Sequence, residues 1–80
     1  MTTPRIDKYG NKRWFDSDGE FHRDNGPAVI YTNGYQSWWQ HGSIHRDDGP
    51  AIEWGNGTSS WWVNDRRLSF DEWLDKVDMS

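Results

Sequence analysis

The chain has 80 residues, no cysteine, and thirteen acidic against nine basic side chains, which gives a formal net charge of −4. This composition excludes disulfides, cysteine-based zinc sites and a cysteine nucleophile, and its acidic balance favours a basic partner over direct binding of nucleic acid. Only 32% of the residues are hydrophobic, but seven are Trp, three Tyr and three Phe, and because aromatic side chains bury a large area a few of them can build a thin core.

The first eight residues contain charged side chains and no apolar run. That pattern is not typical of a signal peptide or of a membrane span. We therefore expect a single soluble domain over residues 1–80, without attachment to a membrane.

A 23-residue repeat organises the middle of the chain. His22–Ala28 returns as His45–Ala51, and eleven of the 23 positions are identical between residues 22–44 and residues 45–67. A partial repeat over residues 9–21 precedes them, in which Phe15, Gly19 and Phe21 are expected to take the places of Trp38, Gly42 and Ile44.

Each repeat is predicted to form a β-hairpin around its Asn-Gly pair, because a two-residue type I′ turn requires positive φ at both central positions. With Asn33-Gly34 as that turn, Val29 is expected to pair with Trp38 and Ala28 with Trp39. Side-chain alternation along the strands then defines two faces. The predicted core face carries Val29, Tyr31, Trp38, Ile52, Trp54 and Trp61. The other, mixed face carries Ala28, Ile30, Trp39, Ala51, Glu53 and Trp62.

The remaining turns and the C-terminus complete a mainly β fold. Turns predicted at Asp18-Gly19, His41-Gly42 and Asn64-Asp65 join the hairpins into an antiparallel meander of seven or eight short strands. A helix is predicted over residues 69–78, because Ser69 and Glu72 form a capping box and apolar residues follow with helical spacing. We expect this helix to cap the last repeat, which has no neighbour to cover it.

The block His-Arg-Asp-x-Gly-Pro-Ala, followed by an apolar strand, an Asn-Gly turn and Trp-Trp, resembles a family of short MORN-like β-hairpin repeats found in phage, viral and bacterial proteins. The resemblance covers residues 9–68. It implies a sheet of stacked hairpins and an association with phages or other mobile elements, and hence the cytoplasm, that of the host cell if the protein is encoded by a phage. The Tyr-x-Gly pattern of ordinary MORN repeats is absent, so a lipid-binding role is not carried over.

The repeated His-Arg-Asp group could suggest a catalytic or metal site, but an active site is needed once and this group occurs twice. We interpret it as structural: the Asp accepts backbone N–H groups, Gly26 and Gly49 supply unusual φ values, and Arg forms an ion pair between hairpins. The three histidines match no chelating spacing, and no phosphate loop or nucleophile elbow is present. We expect no enzyme activity, no metal and no cofactor.

The predicted partner-binding residues fall into two groups. Exposed aromatic and acidic residues of the mixed face are Trp39, Trp62, Tyr35 and Glu53. Acidic residues of the C-terminal segment, which could mimic phosphate charge, are Asp71, Glu72, Asp75 and Asp78.

Together these features favour a non-enzymatic module that binds a basic surface of a host protein or complex. By analogy of size and charge, it would be an inhibitor of a bacterial defence complex of the anti-CRISPR kind, and a monomer or homodimer. Two alternatives stay open: a glycan-binding module that uses Trp39 and Trp62 as stacking platforms, and a structural repeat that oligomerises through its hairpin edges.

Overall fold

The computed structural model describes the backbone of residues 3–78 and the side chains of residues 3–76. This part of the chain forms nine short strands and one helix, which confirms the predicted mainly β class. The strands are β1 (Arg5–Ile6), β2 (Lys12–Arg13), β3 (Val29–Ile30), β4 (Gln36–Ser37), β5 (Trp39–Gln40), β6 (Ser43–Ile44), β7 (Ile52–Glu53), β8 (Ser59–Val63) and β9 (Arg66–Leu68), and the helix is α1 (Phe70–Asp78).

The strands form a meander that is interrupted by one separate hairpin. Seven of them make a single sheet in the order β1-β2-β3-β4-β7-β8-β9, and β5 and β6 form a separate hairpin between β4 and β7. Every pairing between these strands is antiparallel, as predicted. The molecule measures 40 × 30 × 17 Å, so its smallest dimension leaves room for only a thin core.

The predicted register of the Asn-Gly hairpins is wrong by one residue. Val29 pairs with Ser37, where we expected Trp38, and the Tyr31 N–H donates to the Tyr35 carbonyl at 2.9 Å. The loop therefore has three residues, 32–34, of which Gly34 has a φ of 95° and Asn33 is not among the residues with positive φ. This is a type I turn followed by a left-handed glycine, the second common hairpin geometry that favours Asn-Gly.

A one-residue change of register moves the second strand of each hairpin to the opposite face. In the second repeat Ile52 likewise pairs with Ser60 instead of Trp61. As a result, the predicted faces are corrected by exchanging the two Trp pairs. Trp39 and Trp62 share the face of Val29 and Ile52, and Trp38 and Trp61 share the face of Ala28, Ala51 and Glu53.

The type I′ turns lie at the other end of each repeat. His41 and Gly42 have φ values of 48° and 84°, and Asn64 and Asp65 have φ values of 51° and 69°. Both turns are at predicted positions, and so is the turn at Asp18-Gly19.

The loop of the partial repeat is one residue longer than its counterpart. Phe15 bridges to Phe21 with five residues between them, whereas Trp39 pairs with Ile44 across four. Phe15 therefore corresponds to Trp39, and the prediction that it takes the place of Trp38 is wrong.

Apolar side chains are buried on both faces of the sheet. Ile44, Ala51 and Ile52 form one buried cluster, with Tyr35, Trp39 and Trp62 packed against it, and Trp14 and Ala28 are buried on the opposite face from Trp39. The indole N–H of Trp39 donates to Ser37 Oγ, and that of Trp62 donates to Ser60 Oγ, both at 2.8 Å. The hydrogen bonds explain why two serines are only 1% and 3% exposed in so small a core.

The C-terminal helix closes the array as predicted. Ser69 is its N-cap, since the Glu72 N–H donates to Ser69 Oγ at 3.2 Å and the Ser69 N–H donates to Glu72 Oε1 at 3.0 Å. The buried Trp73 packs near Trp61, at 6.4 Å between ring centroids, and its Nε1–H donates to the Arg46 carbonyl at 3.0 Å.

Candidate protein-binding surfaces

The repeated histidines are structural hydrogen-bonding groups. His22 Nδ1 accepts the backbone N–H of His41 at 3.1 Å, so its Nε2 carries the proton and donates to Asp24 at 3.0 Å. The second repeat preserves this arrangement with His45, Asn64 and Asp47, at 3.1 Å and 2.9 Å. Each imidazole thus accepts a hydrogen bond from the turn that lies 19 residues towards the C-terminus. Each Asp accepts a hydrogen bond from an imidazole, whereas we expected it to accept from backbone N–H groups.

The repeated arginines lie over Trp rings. The guanidinium carbon of Arg23 is 3.9 Å from the centroid of Trp14, and that of Arg46 is 3.8 Å from the centroid of Trp38. These are cation–π contacts, which add to the burial of the rings. The helix replaces the arginine at the third Trp, since Phe70 packs on Trp61 with 5.0 Å between centroids.

The repeated arginines also donate hydrogen bonds to the segments that follow them in the chain. Arg46 donates to the Pro50 carbonyl at 2.9 Å, to Asp48 at 2.8 Å and to Glu53 at 3.0 Å, and its hydrogen bond lowers the pKa of the Asp48 carboxyl. The prediction of an ion pair between hairpins is wrong, because Arg46 pairs with Asp48 and Glu53 of its own repeat and the repeated Asp24 and Asp47 contact histidines.

The glycine of the block makes room for this guanidinium. A Cβ on Gly49 would lie 2.7 Å from Arg46 Cζ, and a Cβ on Gly26 would lie 3.1 Å from Arg23 Cζ. Gly49 is absent from the described glycines with positive φ, so for Gly49 the expectation of an unusual φ is wrong. Glycine is needed at this position because the arginine side chain occupies the space that a Cβ would take.

The predicted aromatic binding residues lie at the core. Trp39 and Trp62 are half-buried with their N–H groups bonded to serines, so the expectation that they are exposed is wrong. Tyr35 is half-buried between Tyr31, at 5.2 Å between centroids, and Trp54, at 6.2 Å. Glu53 lies on the opposite face and accepts from Arg46. The four residues do not form one surface.

The predicted acidic residues lie on α1. Asp71, Glu72 and Asp75 are exposed, whereas the side chain of Asp78 is outside the described residues. Glu72 is committed to the helix cap, because hydrogen bonds from Ser69 lower the pKa of its carboxyl.

Phe70 and Leu74 belong to the apolar spacing that predicted α1, and they are 49% and 36% exposed. Each stands one residue before an exposed aspartate, Asp71 or Asp75, and the two pairs are one helical turn apart. We call these four residues the helix surface. It combines apolar and acidic side chains on an element that is anchored by the buried Trp73.

A second feature that sequence reasoning missed is a cleft of about 460 Å³ between the two repeats, here called the inter-repeat cleft. It is lined by Arg23, Asp24, Trp38, Gln40, His45, Arg46, Asp47 and Asp48. The signal in the sequence is the recurrence of an acidic residue at the same place in each block, Asp24 and Asp47, which stacking brings to neighbouring loops.

An acidic loop lies in the partial repeat. Carboxylates of Asp16, Asp18 and Glu20 lie within 4.8 Å of one another. Asp16 accepts the backbone N–H groups of Asp18 and Glu20 and a hydrogen bond from His41 Nδ1 at 2.8 Å, and the Glu20 N–H and His41 lower the pKa of its carboxyl. These bonds explain the cluster as a turn-forming device.

The chain matches none of the protein families, curated proteins or solved structures with which it was compared. Over the described residues, no helix has the length and apolar character that crossing a membrane requires.

Proposed function

We propose that this chain is a non-enzymatic binding module that attaches to a basic surface of a partner protein through the helix surface. The observation that supports this most directly is the exposure of Phe70 and Leu74 beside Asp71 and Asp75. Large apolar side chains that remain exposed together are typical of interaction sites, and aromatic residues are enriched among those that carry binding energy.

The charges favour a basic partner. Asp71 and Asp75 have no carboxylate-to-cation contact among the described ion pairs, whereas Glu72 is held by the cap. A net charge of −4 opposes direct binding of nucleic acid and speeds association with a positive surface.

The specific form of the proposal is inhibition of a bacterial defence complex. A protein groove that binds nucleic acid is lined with Lys and Arg, and aspartates spaced by one helical turn can occupy positions that phosphates would take. The resemblance to phage-associated repeats supports a partner in a host cytoplasm. The half-burial of Trp39 and Trp62 does not favour the glycan-binding alternative.

The test begins with affinity capture from a bacterial lysate by the wild type and by the double variant Asp71→Lys, Asp75→Lys. A captured protein is then purified, and its affinity for both forms is measured by calorimetry at two salt concentrations. We expect the variant to bind at least tenfold more weakly, and the difference to shrink at high salt. Duplex DNA or guide RNA added to the complex should compete with the wild type.

The matched control is Asp18→Lys with Glu20→Lys, which makes the same change of charge in the loop of the partial repeat. Thermal unfolding by circular dichroism shows whether each variant is folded. If the helix variant and the control bind a partner equally well, or if both lose binding equally, the assignment of the contact to the helix surface is wrong.

A further inference from the structure

We infer that the inter-repeat cleft receives the guanidinium group of an arginine on the partner protein. This inference rests on the proposed function in one respect, that the partner is basic. It concerns a different part of the molecule, because the cleft lies between the two repeat blocks and shares no lining residue with α1.

The balance of charge in the cleft favours a cation. Three carboxylates and two guanidiniums line it, and Glu53, outside the lining, also accepts from Arg46. Arg46 is therefore neutralised by Asp48 and Glu53 together. Asp24 and Asp47 contact only neutral imidazoles among the described ion pairs, so their negative charges remain available, with side chains 79% and 75% exposed.

Three acceptors from adjacent repeats line the cleft. Asp24 and Asp47 lie at the same position of adjacent repeats, two strands apart, which corresponds to about 9.5 Å across a sheet. Gln40 lies in the lining as well, and because its Nε2 donates to the Arg23 carbonyl at 2.9 Å, its Oε1 is left as a third acceptor. A guanidinium has five donors in a rigid fork and can reach acceptors on several sides, whereas an ammonium has three donors at one point.

An anion is the less suitable occupant, although two arginines are present. Arg46 donates to Asp48, Glu53 and the Pro50 carbonyl, and Arg23 lies over Trp14 and donates to the Pro27 carbonyl at 3.2 Å. The three carboxylates of the lining outnumber its two guanidiniums, and like charges oppose the binding of a phosphate.

The inference can be tested without the partner. The full chain, labelled with ¹⁵N, is titrated with N-acetylarginine amide, with N-acetyllysine amide and with inorganic phosphate at constant ionic strength. We expect the arginine probe to shift the amide signals of Asp24, Gln40 and Asp47 and the indole signal of Trp38, and to bind at least fivefold more tightly than the lysine probe.

The test variant is Asp24→Asn with Asp47→Asn, which removes both charges but keeps oxygens that can accept from His22 and His45. It should weaken binding of the arginine probe at least fivefold, whereas the control Asp18→Asn with Glu20→Gln, which makes the same change of charge in the loop of the partial repeat, should leave it unchanged. Equal shifts from both basic probes, equal losses in both variants, or a stronger response to phosphate would each overturn the inference.

The two proposals fail separately. If the arginine probe does not bind but the helix variant still captures less partner than the wild type, only the inference about the cleft is wrong. If the arginine probe binds in the cleft but the helix variant captures the partner as well as the wild type, only the proposal about the helix surface is wrong.

Discussion

The hydrogen bond between Trp39 and Ser37 gives a quantitative test of whether this indole is structural. Ser37 is 1% exposed, and its Oγ is the acceptor of the Trp39 N–H at 2.8 Å. Ser37→Ala removes that acceptor and leaves a half-buried N–H without it. We expect a loss of about 1–2 kcal/mol in the free energy of unfolding, since a hydrogen bond contributes about 1 kcal/mol net and an unsatisfied buried donor costs about 1–3 kcal/mol.

A loss of that size is large for this chain. At about 0.05–0.15 kcal/mol per residue, a domain of this length has a total stability of roughly 4–12 kcal/mol, and each kcal/mol moves Tm by about 4–8 °C. Urea unfolding followed by far-ultraviolet circular dichroism measures the change without relying on the emission of an altered Trp.

A double-mutant cycle isolates the bond from other effects of the substitutions. Trp39→Phe also removes apolar contact area, but this contribution cancels when the double variant with Ser37→Ala is compared with both single variants. We expect a coupling of about 1 kcal/mol. Ser60 and Trp62 offer the same bond in the second repeat, and they should give a similar coupling. A coupling near zero in both repeats would refute the structural assignment of these indoles.

Three further predictions follow from contacts in the repeats and the cap. Arg46→Met should lower stability by about 2 kcal/mol and Arg23→Met by less, because both lose a cation–π contact but only Arg46 also has carboxylate partners; urea midpoints measure the difference. Trp73→Phe should cost about 1 kcal/mol, because the ring is retained while the hydrogen bond to the Arg46 carbonyl is lost; a melting temperature equal to that of the wild type would contradict this bond. The pKa of Glu72 is lowered in the folded state, so the ionised cap stabilises the protein above the ordinary value of 4.5 and this contribution disappears as the pH falls through the lower folded pKa. Glu72→Gln should therefore flatten the dependence of the urea midpoint on pH between about 6 and 3, and an unchanged dependence would count against the capping box.

The sequence predicted the repeat, the turns at both ends of each hairpin and the capped helix, because each has a local cause in identifiable residues. Ser69 and Glu72, for example, form their capping box from neighbouring positions alone. The register was not determined in the same way. Asn33-Gly34 suits both a two-residue type I′ turn and a three-residue loop ending in a left-handed glycine, and the three-residue loop is the one that packs Trp39 and Trp62 against the buried cluster.

The candidate surfaces were less predictable than the fold, since they depend on which residues the register leaves exposed. The one-residue difference placed Trp39 and Trp62 against Ile44, Ala51 and Ile52, and so removed them from the predicted binding surface. Helical periodicity could identify Phe70 and Leu74 as apolar, but it could not show that both stay exposed while Trp73 is buried. The inter-repeat cleft required knowledge of how consecutive blocks stack.

The hydrogen bond from Trp73 has a consequence for the length of such arrays. Within the first repeat, Gln40 donates to the Arg23 carbonyl, whereas Val63 at the equivalent position of the second repeat has no side-chain donor and the indole of α1 supplies one to the Arg46 carbonyl. The helix thus satisfies in the second repeat the backbone group that a glutamine satisfies in the first. Additional 23-residue units that carry glutamine at that position could be inserted before the last repeat. Each unit would lengthen the sheet by two strands, and the same C-terminal helix would still cap the last repeat.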